Sequence, residues 1–194
     1  MLALLLPAPA AAQVQGYRLD PVHTRIAFAI DHAGFSTALG SISGSTGVVA
    51  FDPLDWSSAR LDVRVPLRRV DLGDKRWNRA AARMLGSASH PEARFIASDV
   101  RAVDASHARA CGTLYLHGTQ QPLCLEVRFN QAGREPLPPF HPKAGFSATA
   151  TLSRAAFGID AWAALVGDEV ELRIEAEAAR DDAALAELPP VPRK

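Results

Sequence analysis

Six histidines, two cysteines and one glycine-rich run are the residues of this 194-residue chain whose types could carry chemistry. The histidines, at 23, 32, 90, 107, 117 and 141, show no paired spacing of the kind a metal site needs. Ordinary hydrogen-bonded structural roles account for them. The run GSISGSTG (residues 40–47) lacks the Lys-Ser/Thr of a phosphate loop and sits between strands, so turn and bulge glycines explain it. There is no G-x-S-x-G elbow and no HExxH. Neither an acid–base pair nor a nucleophile presents itself, so the chain reads as a non-enzyme with no metal and no cofactor. The chemistry that remains is apolar. In IAFAIDHAGFSTALG (residues 26–40), Ile26, Phe28 and Ile30 alternate with small residues as in a strand with one buried face. That stripe then runs into His32 and a Gly34-Phe35-Ser36-Thr37 cluster.

Period-two stretches of this kind recur, at 17–20, 24–32, 38–44, 47–52, 59–67, 93–103, 110–117, 122–130, 144–153 and 168–178. Val63 and Val65 alternate with charge in LDVRVPL, as do Leu125 and Val127 in LCLEVRF and Leu172 and Ile174 in VELRIEAEA. One dry and one charged face per strand marks an antiparallel sheet over a single core, and many short strands suggest a sandwich or a closed barrel. One segment differs. GDKRWNRAAARMLGS (73–87) sets Trp77, Ala80, Ala81, Met84 and Leu85 at helical spacing, with Asp74 as N-cap and Gly86 as stop. Such a helix either plugs a barrel mouth or lines a cavity beneath it.

With 48% hydrophobic and 22% charged residues the chain has enough material for one well-packed domain. Equal basic and acidic totals, 21 each, give no attraction to nucleic acid or to an anionic membrane surface. No apolar run approaches the ~20 residues of a membrane span. Residues 1–12 of MLALLLPAPAAAQVQ read as a secretory signal, although no Lys or Arg precedes Arg18, which suggests a start upstream of Met1. The other reading is a disordered apolar N-terminus. Residues 13–180 then form one domain of a periplasmic or secreted protein, and 181–194 a short charged, proline-ended tail, either frayed or a brief terminal helix.

Taken together and in order, the motifs resemble the YceI-like family of periplasmic polyisoprenoid-binding proteins, from about Tyr17 to about Ala179. The resemblance rests on YRLDPVHTRIAFAIDHAGFSTALGSISGSTGVVAFDP, with Asp20, His23, His32, Gly34, Gly40, Phe51 and Asp52 in pattern. HPEARF (90–95), GTLYLHGTQQPLCLEV (112–127) and LSRAAFGIDAWAALVGDEVELRIEAEA follow in the family's order. The chain departs from the family in the helix, at Asn78-Arg79-Ala80 and Arg83-Met84-Leu85, and in the hairpin at Thr119-Gln120-Gln121.

The resemblance implies an all-β fold, an extended lipocalin-like antiparallel β-barrel with one inserted amphipathic helix near its mouth. It implies non-enzymatic binding, storage or transport of an isoprenoid lipid, a polyisoprenoid or a quinone. On that reading Ile26, Phe28, Ile30, Val63, Val65, Phe95, Leu114, Leu125, Val127, Phe146 and Phe157 face the ligand. Trp77, Met84 and Leu85 join them from the helix, and His32 with Phe35 marks the passage to a more polar region. A strand-end His32 bonded to backbone is the alternative. The competing function is a barrel filled by its own aromatic side chains that acts as a protein- or membrane-interaction module, and a homodimer is left open.

Cys111 and Cys124 suit an oxidising compartment. If His117-Gly118 is a two-residue hairpin turn, paired positions sum to 235, which sets the two cysteines directly opposite. They then fall in a non-hydrogen-bonded pair, where Cα atoms approach to ~4.5 Å, within disulfide reach. A four-residue loop over 117–120 would shift the sum to 237 and offset them.

Overall fold

A computed structural model describes residues 13–190, so the signal reading of residues 1–12 lies outside the described residues. Eleven strands run in chain order: β1 (Gln15–Leu19), β2 (Arg25–His32), β3 (Ser36–Ser43), β4 (Thr46–Phe51), β5 (Arg60–Pro66), β6 (Val70–Asp71), β7 (Glu92–Ala102), β8 (His107–Leu116), β9 (Thr119–Arg134), β10 (Pro142–Ser153) and β11 (Val166–Arg180). One α-helix, α1 (Lys75–Met84), interrupts them. The fold is the expected antiparallel barrel. The ring β1-β4-β5-β7-β8-β9-β10-β11 closes on itself through β1–β11, with Tyr17 opposite Arg180 and Leu19 opposite Ala178. Closure removes the unpaired edges that an open sheet of this length would expose.

β11 serves two seams. Its last residues pair with β1, and its earlier stretch pairs with β2, Leu172 opposite Phe28 and Ile174 opposite Ile26. β2 carries β3, and β3 carries β6, so the barrel wall is extended at one end. β6 has two residues, too short to leave a periodic trace in the sequence.

α1 forms where Asp74 accepts hydrogen bonds from the Arg76 and Trp77 N–H groups, at 2.8 and 3.0 Å. This satisfies donors that every helix start leaves free. It stops at Gly86, whose φ of 62° suits the left-handed turn and whose N–H reaches the Arg83 carbonyl. Asn78 ties the helix to β6, accepting from the Leu72 N–H at 2.7 Å and donating to Asp71 at 2.8 Å.

Of the two readings of the segment after residue 180, the structure shows the brief helix, and it packs against the barrel. A 3-10 turn at Asp182–Glu187 buries Ala184, and Leu188 just after it, against Val48 and Ala50. The Asp182 carboxylate accepts the Gly16 N–H, and Arg18 pairs with Asp181 and Glu187. The ordered unit therefore runs past the expected boundary at 180.

In the β8–β9 hairpin Leu116 pairs with Thr119 and Cys111 with Cys124, the register of the two-residue turn. The cysteines are joined, with Cα atoms 4.0 Å apart, on the outer face of the barrel. In the chain-entropy model closing so short a loop contributes at most ~3 kcal/mol. Unfolding the unreduced protein in the presence of an alkylating agent is expected to label no thiol, and reduction is expected to lower the urea midpoint.

Candidate functional site

The inward stripes of these strands do not meet at the barrel axis. They enclose a cavity of about 590 Å³ that runs from the β1 end towards α1. At the β1 end four aromatic rings close it: Phe51 lies 5.1 Å from Trp56, 5.0 Å from Phe129 and 5.3 Å from Phe146, centroid to centroid. Tilted and edge-on contacts of this kind add to the burial of the rings. At the other end Trp77, Ala81 and Met84 of α1, with Leu85 just after it, lie across the opening, beside Trp162 and Leu165 of the β10–β11 connection. The barrel is thus filled by its own aromatic side chains at one end only.

The wall is apolar almost throughout. Its polar side chains, indoles aside, are Thr24, Asp31, His32, Ser45 and Arg154. Arg154 is 5% exposed, and its guanidinium spends its donors on backbone. Nε donates to the Gly167 carbonyl, Nη1 to those of Ile159 and Ala161, and Nη2 to that of Val166, at 2.6–2.9 Å. It therefore fixes the loop that forms one lip of the opening. The His32 ring packs against Trp77, centroids 5.1 Å apart. Neither group is paired with a base, an acid or a nucleophile in reacting geometry; what the site can do is take up apolar surface.

Of the residues expected from sequence, Ile26, Phe28, Ile30, His32, Val63, Val65, Trp77, Met84, Leu85, Phe95, Leu114, Leu125, Val127 and Phe146 stand in the cavity wall. Two do not. Phe35 occupies the β2–β3 turn, where its side chain is 92% exposed. The alternation that carried the stripe to His32 ends at that turn, so parity no longer fixes its face. Phe157 is 2% exposed in a 3-10 turn, packed into the core behind the wall. Trp162 and Leu165, which do line the opening, lie in a loop without periodicity, so alternation assigns them no face.

The width of the cavity depends on Gly40. It sits directly opposite Phe28 on the neighbouring strand, and a Cβ there would come within 2.2 Å of the Phe28 ring. The missing side chain lets the ring lie flat on the sheet. Gly40→Ala is expected to lift the ring into the cavity at a stability cost of about 1 kcal/mol. Capacity for an apolar ligand should fall more than the melting temperature does, as paired binding and unfolding measurements would show.

One acidic cluster lies apart from the cavity. Ligand atoms of Asp20, His23 and Glu177 lie within 4.8 Å of one another. The Lys143 ammonium already fills that position, 3.4 Å from Asp20 and 3.3 Å from Glu177, with Glu135 closing on it too. The hydrogen bond it donates to Glu135 leads the contacts that hold the lysine well above its ordinary pKa. Burial works to raise the Asp20 pKa, but hydrogen bonds from His23, the Val22 N–H and Lys143 outweigh it and hold the carboxyl well below the usual range. The donor set is a salt-bridge network and does not suit a metal cation.

Comparison with known proteins agrees with this geometry. The YceI-like domain matches residues 17–178. A UPF0312 protein of Pectobacterium atrosepticum is 28% identical over 180 residues, 91% of this chain and 92% of its own. One from Vibrio cholerae is 26% identical over 178 residues, covering 90% of this chain and 93% of the relative. Among solved structures, BcnA of Burkholderia cenocepacia superposes with a TM-score of 0.73 at 19% identity, over 82% of this chain and 98% of that one. A polyisoprenoid binding domain from Saccharophagus degradans, described as implicated in plant cell wall breakdown, gives a TM-score of 0.63 at 15% identity, over 86% and 99%.

Proposed function

The chain belongs to the YceI-like family, and from that premise we propose that it binds one isoprenoid lipid, a polyisoprenoid or an isoprenoid quinone, and stores or carries it in the periplasm. The observation that carries the reading is the cavity itself. At about 590 Å³ it lies within the ~300–1,000 Å³ of small-molecule sites, and its wall asks for a ligand without charge along most of its length. Burial alone supplies affinity, at roughly 0.8 kcal/mol per methylene taken out of water, before the cost of association. A chain of about ten such groups has a gross gain of about 8 kcal/mol, equivalent to micromolar binding. The cystine Cys111–Cys124 supports an oxidising compartment.

The reading is tested by organic extraction of protein purified from a bacterial periplasm, followed by mass spectrometry. An isoprenoid lipid enriched over a control protein prepared in parallel is expected. Extracts indistinguishable from the control, with no rise in melting temperature on adding a prenylated quinone, would overturn it.

A further inference from the structure

The end of the barrel at which the cavity opens has a surface that the net charge of zero conceals. Trp162 is 66% exposed, Leu165 46% and Trp77 45%, and all three also line the cavity. Phe35 extends from the neighbouring β2–β3 turn, which is tied to this rim by the hydrogen bond from the Ala33 N–H to the Leu165 carbonyl. The apolar wall of the cavity thus continues outward onto a rim of exposed aromatic and aliphatic side chains. Indole rings prefer the boundary between lipid and water, where one side is apolar and the other wet.

The helix beside that rim is cationic. Trp77, Ala81 and Met84 face the cavity, and Lys75, Arg76, Arg79 and Arg83 project from the solvent side of α1. Among the described residues none of these four takes part in an ion pair. Three nearby acids keep their charge but are turned to local partners: Asp74 caps the helix, Asp71 holds the Gly73 N–H and Asn78, and Asp31 holds the Gly34 N–H; a fourth, Asp160, is exposed in the rim loop itself. Among the described residues no helix is long and apolar enough to cross a membrane, so the rim offers a surface contact, not a span.

We infer that this rim docks the protein on the surface of an anionic lipid bilayer, with Trp162, Leu165 and Phe35 at the lipid boundary and the cations of α1 over anionic headgroups. The inference rests on the lipid-binding reading, since contact at this end would let an apolar chain pass between bilayer and cavity without crossing water. The grouping of four cations on the solvent face of α1 selects an anionic bilayer over a neutral one. Each cation near such a surface is worth roughly five-fold in partitioning.

The test mixes the purified chain with vesicles of phosphatidylcholine alone, or with equal parts of phosphatidylglycerol, and measures protein co-sedimenting with them. Binding to the anionic vesicles is expected, weakened by salt, with tryptophan emission quenched by brominated lipid. Arg76→Gln with Arg79→Gln should lower partitioning roughly 25-fold. Trp162 has a φ of 61°, which asparagine tolerates well, so Trp162→Asn should leave folding intact while reducing both binding and quenching. Equal binding to both vesicle types, no binding, or variants that bind like the parent would each overturn the inference. So would a dimer that dissociates in the Trp162 variant, because the rim would then face a second copy. Protein that retains its isoprenoid yet ignores vesicles refutes this docking alone. Protein that binds vesicles but yields no isoprenoid refutes the cavity reading alone.

Discussion

Filling the cavity from both sides, with Ala148→Phe and Val63→Phe together, is expected to weaken lipid binding roughly 100-fold in a protein that still folds. The ring order places β10 and β5 on opposite walls, and both residues face the cavity. Ala148 sits between Val127 and Ile174 on the adjoining strands, and Val63 beside Phe95, so each new ring projects towards the open axis. Overpacking a filled core costs ~1–3 kcal/mol per site, and here the added atoms enter empty space. The bound chain, by contrast, loses its path. Displacing about four methylenes removes about 3 kcal/mol, or roughly 100-fold in affinity. Thermal melting and lipid titration of the same preparation check both halves.

Arg154→Met should have the largest effect on stability. The methionine keeps the apolar stem, but the carbonyls of Ile159, Ala161, Val166 and Gly167 all lose their donor. At roughly 1 kcal/mol for each abandoned carbonyl the loss reaches about 4 kcal/mol. Relief of the buried charge returns part of it, which leaves a net loss of about 2–4 kcal/mol. Arg154→Lys should recover little, since three donors on one nitrogen do not span four separated acceptors. A urea midpoint unchanged in Arg154→Met would show that the loop holds itself.

Much of this architecture is legible in the chain because strand periodicity is geometric. Leu61, Val63 and Val65 must share a face once Asp62 and Arg64 take the other, and the structure puts all three apolar residues in the wall. The position of the helix follows from Asp74 and Gly86 by the same logic, and the register that pairs Cys111 with Cys124 follows from the turn at His117-Gly118. Three features lie beyond that reach. β6 is too short for a period, and the loop around Trp162 and Leu165 has none, its course being set by Arg154 from the other side of the turn. The segment after residue 180 looks like solvent-facing chain by composition, yet Ala184 and Leu188 find an apolar patch on β4 that only the folded barrel creates. Whether the aromatic residues fill the barrel or line it is likewise a three-dimensional matter. Phe51, Trp56, Phe129 and Phe146 cluster at one end, and Phe28 lies flat over Gly40, so space remains between them and the helix.

The central claim is that this space holds one isoprenoid chain, and native mass spectrometry of lipid-stripped protein titrated with a prenylated quinone tests it most directly. The account predicts a single adduct of one quinone per chain in the parent and almost none in the Ala148→Phe, Val63→Phe protein. Adducts of equal abundance in the two proteins, or no adduct in the parent, would contradict it.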